Sequence, residues 1–174
     1  MCTCWITSVW RGEVFNKSMS YYMRFNVVFV GSVGTGKTSI IKKKTNQSKA
    51  SHVSTIAVDF VTMKLGDFDA SVWDTCGQER FMSITSSYFM RGHVFVLVHD
   101  VIDSDVMQDL EKWRKEIVKK KPARHSPVII VVSNKIDLAP FCSQPVSEWI
   151  SKHMLTKCIH LPNQVKELML YLQK

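Results

Sequence analysis

The sequence has no run of eighteen apolar residues, which is about the length that a membrane-spanning helix needs. Its N-terminus lacks the charged start, apolar stretch and small-residue cleavage site of a signal peptide. Its five cysteines are odd in number and show no zinc-site spacing, so we expect reduced thiols. These absences predict a cytoplasmic protein. With 174 residues, 45% of them hydrophobic, the chain is long enough for one domain with a substantial core.

The formal net charge is +8, and the lysines and arginines concentrate at residues 42–49 and 112–124. Such basic surfaces favour phosphates, anionic lipids or nucleic acids. Only one aromatic residue, Trp113, lies within these two stretches, which is too few for a row of stacking platforms, so we expect no nucleic-acid binding. Two solvated helix faces are the simpler interpretation, and membrane contact is left open.

Short apolar stretches alternate with helical patterns from residue 23 onward. This alternation predicts an α/β fold: a three-layer sandwich with a mostly parallel six-stranded sheet, one antiparallel edge strand and helices on both faces. Residues 1–22 show no period and are predicted to be an N-terminal extension to a domain of residues 23–174. The predicted strands are 25–30, 56–65, 69–73, 94–98, 128–132 and 157–161, and the predicted helices are 37–45, part of 79–90, 103–121, 146–153 and 164–172.

A glycine-rich motif follows the first predicted strand and opens the first predicted helix. It fits Gly-x-x-x-x-Gly-Lys-Ser/Thr without a mismatch, and we call it the phosphate loop. Glycines let backbone amides approach phosphate oxygens, and the helix N-terminus favours the anion. The motif predicts a P-loop NTPase that binds a nucleotide phosphate tail with Mg²⁺. Its residues are Gly31, Ser32, Val33, Gly34, Thr35, Gly36, Lys37 and Thr38.

Four further segments carry a family resemblance. Residues 73–81 read Trp-Asp-Thr-Cys-Gly-Gln-Glu-Arg-Phe, and residues 55–60 read Thr-Ile-Ala-Val-Asp-Phe. Residues 84–89 read Ile-Thr-Ser-Ser-Tyr-Phe, and residues 134–137 read Asn-Lys-Ile-Asp. In this order they resemble the switch and guanine-recognition motifs of Ras-superfamily small GTPases, most closely the Rab branch. The resemblance covers about residues 23–173.

The resemblance implies GTP or GDP as ligand, Mg²⁺ as cofactor, and a role for each motif residue. In the family, a glutamine orients the attacking water while phosphate contacts come from the loop lysine and a switch glycine. Lys37, Gly77 and Gln78 would be the catalytic residues. Thr38, Thr55 and Asp74 would hold the metal. Asn134, Lys135 and Asp137 would recognise guanine, supported by Ile159 and His160.

Phe60, Trp73 and Tyr88 fall where Rab proteins carry an aromatic triad that contacts effectors. Aromatic residues are good interface anchors, although simple packing of the three rings is an equally weighted interpretation. The resemblance also implies an exchange factor and a GTPase-activating protein as partners. We expect a monomer that acts in the cytoplasm or on the cytosolic face of an intracellular membrane.

The chain departs from the family at several positions. Val33 replaces a glycine or serine and predicts slow hydrolysis, because its branched side chain crowds the γ-phosphate. No aromatic residue lies between Thr38 and Thr55 to stack on the base. Residues 158–160 read Cys-Ile-His where the family has Ser-Ala-Lys, which predicts weakened guanine binding. No cysteine lies near Lys174, so we expect no prenylation.

The leading hypothesis is a Rab-like GTP/GDP switch in vesicle or membrane traffic, with slow hydrolysis. The alternative is a Rab-like scaffold or decoy with weak nucleotide binding. An ATP-using P-loop kinase is disfavoured, because it leaves the switch motifs and the Asn-Lys-Ile-Asp segment unexplained.

Overall fold

The computed structural model describes residues 24–45, 58–65, 68–78, 87–120, 127–138, 144–153 and 158–160. The strands are β1 (Arg24–Val30), β2 (Val58–Leu65), β3 (Phe68–Thr75), β4 (Val94–Asp100), β5 (Val128–Asn134) and β6 (Cys158–His160). The helices are α1 (Lys37–Lys44), α2 (Val106–Lys120) and α3 (Gln144–Lys152), and residues 87–89 are also helical.

The six strands form one sheet in the order β2-β3-β1-β4-β5-β6. Every neighbouring pair is parallel except β2 and β3, which form an antiparallel hairpin at one edge. The predicted fold class is therefore confirmed, including the single antiparallel edge strand. The parallel arrangement brings the carboxyl ends of β1, β4 and β5 to the same edge, where α/β proteins bind their ligands.

Alternate side chains of the central strands enter two separate cores. On one face, Val27 and Phe29 of β1 pack in a cluster with Ile40 and Ile41 of α1. On the other face, Val28 and Val30 join the cluster that contains α2 and α3. Because both faces are covered, these strands are apolar almost without interruption, as buried parallel strands require.

Helices α2 and α3 bury an apolar stripe against the second face of the sheet. In α2 the buried residues are Leu110, Trp113 and Ile117, whose spacing of three and four places them on one side of the helix. In α3, Trp149 and Ile150 belong to the same cluster. The stripe fixes the position of α2 relative to β4 and β5.

A polar contact also joins α2 to α3. The Glu111 carboxylate accepts hydrogen bonds from the Arg114 guanidinium (2.9 Å and 3.2 Å) and from the Trp149 indole nitrogen (3.1 Å). The hydrogen bonds from Arg114, followed by the one from Trp149, lower the pKa of Glu111 to about 2. The carboxylate is therefore ionised at neutral pH and links the two helices.

Several element boundaries differ from the predictions. Helix α2 begins at Val106 instead of residue 103, because the Asp103 carboxylate accepts the backbone N–H of Asp105 (3.0 Å) in a turn before the helix. Helix α3 begins at Gln144, two residues before the predicted start. Strands β3, β4 and β5 each run two residues further than predicted.

Three predictions fall outside the described residues: the extension 1–22, the terminal helix 164–172 and most of the segment 79–90. Among the residues that are described, no helix is long and apolar enough to cross a bilayer.

Candidate nucleotide-binding site

The phosphate loop connects the end of β1 to the start of α1 and depends on its glycines. Gly31, Gly34 and Gly36 have φ values of 136°, 79° and 92°, which other residues rarely adopt. A Cβ atom at Gly31 would also collide with the backbone oxygen of Val98 in β4. The loop can therefore lie directly on the sheet edge only because these positions are glycine.

The ammonium group of Lys37 lies inside the phosphate loop and is hydrogen-bonded to its backbone. Its Nζ donates hydrogen bonds to the backbone oxygens of Gly31 (2.8 Å) and Ser32 (2.7 Å), and lies 3.4 Å from Thr35 Oγ1. Thr35 Oγ1 in turn donates to the Ser32 oxygen (3.0 Å). The loop is thus already folded around the positive charge that the motif assigns to phosphate binding.

Burial lowers the pKa of Lys37 to about 8, since the low-polarity surroundings disfavour its charged form. The side chain is only 5% exposed. The nearby Asp74, Cys76 and Asp109 act in the opposite direction and favour the ammonium form. A bound phosphate would add negative charge and stabilise the ammonium further.

Asp74 and Thr38 bring two oxygen atoms together beside Lys37. Asp74 lies near the end of β3, is 4% exposed, and accepts a hydrogen bond of 2.5 Å from the Thr38 hydroxyl through Oδ2. Carboxylate and hydroxyl oxygens are the ligand types that Mg²⁺ prefers. The pair fits the metal role predicted for both residues.

Gly77 brings the segment after β3 into contact with the phosphate loop. It is buried with φ 72°, and a Cβ atom there would meet the Gly31 oxygen and lie 2.6 Å from Lys37 Nζ. Gln78, the predicted water-orienting residue, follows immediately and is half-buried. The structure therefore places the predicted catalytic residues Lys37, Gly77 and Gln78 together.

The predicted guanine-recognition segment is tied to the phosphate loop by Asn134. Its Nδ2 donates a hydrogen bond of 2.8 Å to the backbone oxygen of Thr35. A Cβ atom at Gly36 would collide with the same amide nitrogen. Asn134 therefore sets the distance between the end of β5 and the phosphate loop.

Lys135 and Asp137 follow in a turn at the end of β5. Lys135 has φ 61°, which is rare for a residue with a side chain, and its backbone oxygen accepts the N–H of Leu138 (2.9 Å). Its Nζ forms an ion pair of 2.6 Å with Asp100 of β4. Asp137 is exposed, so its carboxylate is accessible to a ligand.

Three predicted site residues are described in part or not at all. Ile159 and His160 lie in β6, where their backbones pair with Val132 and Ser133 of β5. This register puts the segment next to the turn of residues 135–138, which is predicted to recognise guanine. Thr55 lies outside the described residues.

Two further carboxylates, Asp100 and Asp109, lie at the site and were not predicted from the sequence. Asp100 ends β4 and pairs in register with Asn134, so the rule that ligands bind at the carboxyl ends of parallel strands could have found it. Asp109 accepts a hydrogen bond from Ser32, 77 residues earlier in the chain. No motif or spacing in the sequence indicates that contact.

A sequence model of the Ras family matches residues 26–161. This chain belongs to the Ras family. The match begins in β1 and ends just after β6, so it covers every element described above except the first two residues of β1. The predicted family resemblance is confirmed.

The individual relatives carry Rab names. Residues of this chain are 36% identical to mouse Ras-related protein Rab-12 over 119 residues, 66% of this chain and 48% of that protein. They are 34% identical to Ras-related protein rab-11.1 of Caenorhabditis elegans over 133 residues, 74% of this chain and 62% of the relative. Rab-7B of Dictyostelium discoideum is 36% identical over 114 residues, 64% of this chain and 57% of the relative. The chain thus spans about half of the relatives it matches and is a divergent, Rab-like member of the family.

The low pKa of Lys37 predicts a pH-dependent affinity for GDP. Above about pH 8 the free protein loses the Lys37 proton, whereas the phosphate in a complex holds it, so binding must take up a proton. We expect GDP affinity to be level below pH 8 and to fall up to about tenfold per pH unit above it. Calorimetric titration from pH 7 to 9.5 measures this.

GMP, which lacks the β-phosphate, is the control ligand for this experiment. Its affinity should fall less than that of GDP over the same range. A constant ratio of the two affinities would contradict the assignment of Lys37 to the outer phosphates.

Proposed function

We propose that this chain binds GTP and GDP with Mg²⁺ and acts as a molecular switch that hydrolyses GTP slowly. One observation carries the proposal. The phosphate loop closed around Lys37, the Asp74–Thr38 oxygen pair and the Asn134–Thr35 link all meet at the carboxyl edge of a single sheet. A phosphate tail, its metal and a guanine base need these three features side by side.

Each part of the edge has a chemical task in this proposal. Lys37 binds the outer phosphates, and the backbone amides of the phosphate loop surround them. Thr38 and Asp74 hold Mg²⁺ together with Thr55, and the metal neutralises phosphate charge when bound. Gln78 orients the attacking water.

The switch action follows from the position of Gly77. A Cβ atom built on Gly77 would lie within 2.6 Å of both the Gly31 oxygen and Lys37 Nζ, so a γ-phosphate bound at Lys37 would lie within reach of the segment after β3. Contacts with that phosphate order the switch segments, and hydrolysis releases them. GTP and GDP therefore favour different conformations of the same surface.

Guanine selectivity rests on Asp137 and is expected to be modest. The exposed carboxylate accepts hydrogen bonds from guanine N1 and N2, which adenine does not provide in that arrangement. The absence of an aromatic residue between Thr38 and Thr55 removes a stacking partner, worth about 1–3 kcal/mol where bases stack on aromatic side chains. This absence is the observation that favours the second candidate, a Rab-like scaffold or decoy with weak nucleotide binding.

Partner recognition is proposed for the three aromatic residues of β2, β3 and residues 87–89. Phe60 packs against Trp73, and Trp73 against Tyr88, with ring centroids 4.6 Å apart in both pairs and ring planes tilted by 47° and 37°. Phe60 nevertheless remains 46% exposed. Packing and exposure together make the group a preorganised anchor for effectors in vesicle or membrane traffic, the setting that the Rab resemblance implies.

Titration of nucleotide-stripped protein with GDP, GTP and ATP in Mg²⁺ tests the proposed ligand. We expect the two guanine nucleotides to bind more tightly than ATP. An Asp137→Asn variant should weaken GDP binding roughly 10–100-fold, because a charged acceptor of two hydrogen bonds is lost.

The thermal midpoint of Asp137→Asn should stay unchanged, because the residue is exposed. Equal affinity for GDP and ATP would contradict a guanine switch. Failure to bind any of the three nucleotides would favour the scaffold or decoy.

Slow hydrolysis is assigned to Val33, whose side chain is 52% exposed on the phosphate loop. Its φ is not positive, so glycine can replace it without changing the loop. We expect Val33→Gly to increase single-turnover GTP hydrolysis roughly tenfold, which corresponds to about 1.4 kcal/mol of barrier. Equal rates for wild type and variant, at unchanged GTP affinity, would refute the assignment.

The proposed role of Phe60, Trp73 and Tyr88, here called the aromatic group, in effector recognition is tested by affinity capture with GTP-loaded and GDP-loaded protein. Proteins retained only by the GTP form should be lost by Phe60→Ala, while GDP affinity is unchanged. Val118→Ala is the matched control, because Val118 on α2 is 47% exposed and lies outside the aromatic group. Equal losses for the two variants would contradict a role for Phe60 in recognition.

A further inference from the structure

Helix α2 holds the phosphate loop through the side chain of Ser32. The Ser32 hydroxyl donates a hydrogen bond to the carboxylate of Asp109 in the first turn of α2. The same oxygen accepts a hydrogen bond of 3.4 Å from the indole nitrogen of Trp113, one turn later. Because the hydroxyl uses both its donor and an acceptor position, its orientation is fixed by α2.

The backbone of Ser32 meets the other side of the site. Its carbonyl oxygen accepts hydrogen bonds from Lys37 Nζ (2.7 Å) and from Thr35 Oγ1 (3.0 Å). Ser32 therefore contacts α2 through its side chain and the Lys37 ammonium group through its backbone, and so connects the two. A displacement of Ser32 would move one of the oxygens that hold Lys37.

Helix α2 is a rigid anchor for this connection. Trp113 is 2% exposed, and Leu110 and Ile117 beside it are buried in the same core cluster. The cavity between α2 and the phosphate loop measures only about 10 Å³, roughly the least that one water molecule needs. The phosphate loop consequently has almost no free space in which to move towards α2.

Asp109 also contributes its charge. Its carboxylate is close enough to Lys37 to favour the ammonium form against the effect of burial. Asp109 thus acts on the phosphate site both through the Ser32 hydrogen bond and through the electrostatic field.

We propose that Asp109 and Trp113 are positioning residues for nucleotide phosphates, which hold Ser32 so that its carbonyl oxygen keeps the Lys37 ammonium group in place. The inference rests on the proposed nucleotide binding. It assigns a task to two α2 residues that belong to no nucleotide-binding motif. The effect concerns the β- and γ-phosphates, since Lys37 contacts these, and it spares the guanine-recognition turn after β5.

The test compares the affinities of GDP and GMP for wild type, Ser32→Ala, Asp109→Ala and Asp109→Asn. We expect Ser32→Ala and Asp109→Ala to weaken GDP binding about tenfold and GMP binding about twofold or less. Asp109→Asn should recover most of the GDP affinity at pH 7, because its amide oxygen still accepts the Ser32 hydroxyl. Asp105→Asn is the matched control, since it removes the same charge from an exposed position just before α2.

The ratio of GDP to GMP affinity separates positioning from a merely structural role. This ratio should fall in Ser32→Ala and Asp109→Ala, recover in Asp109→Asn, which keeps an acceptor for the Ser32 hydroxyl, and stay at the wild-type value in Asp105→Asn. A general loosening of the fold would lower GDP and GMP affinity together and leave their ratio in place.

The outcomes distinguish this inference from the proposed function. If wild type binds no GDP, both fail. If wild type binds GDP and all variants keep its GDP-to-GMP ratio, the positioning role alone is overturned. If Asp109→Ala does not fold, the ratios in Ser32→Ala and Asp109→Asn decide.

Discussion

The positive charge of Lys37, buried at the edge of the sheet, is the constraint on which the rest of the site depends. A charge in such a place is costly unless oxygen atoms surround it. Two backbone oxygens of the phosphate loop meet this need, and they can do so only because the loop folds back over the lysine. Gly31 and Gly77 leave room for that fold, and the carboxylates of Asp74 and Asp109 balance the charge. The proposed phosphate binding would thus use an electrostatic arrangement that the protein already needs for its own loop.

Most of the fold could be predicted from the sequence, because its strands are buried on both faces and so form nearly continuous apolar runs. The strand ends were harder to predict. β4 and β5 continue through His99 and Ser133, which are polar but buried. His99 Nε2 and Ser133 Oγ are hydrogen-bonded at 2.8 Å between the two strands. A polar residue normally indicates the end of an apolar strand, and only its partner on the next strand shows otherwise. The start of α2 was missed for a similar reason, because the Asp103 side chain satisfies a backbone group that a helix would otherwise use.

The candidate site likewise has parts that could be predicted from the sequence and parts that could not. The phosphate loop, Asp74 and the residues 134–137 could be predicted, because each motif is contiguous and its chemistry is local. Asp109 could not, because it meets Ser32 across 77 residues of chain and an isolated aspartate in a helix has no sequence signature. Asp100 meets Lys135 across 35 residues of chain, and only its position at the carboxyl end of a parallel strand indicates it. Only the packing of α2 and the register of β4 and β5 bring these carboxylates to the site.

A substitution at a buried position usually changes both activity and folding stability. Val33 differs because it is exposed. Its side chain is 52% exposed on the loop and takes no part in the hydrogen bonds of Lys37, so a change there leaves these bonds and the glycine torsions in place. If Val33 slows hydrolysis as proposed, a single substitution there would change the lifetime of the GTP-bound form at little cost in folding stability. The duration of the GTP-bound form and the stability of the fold would then be under separate control.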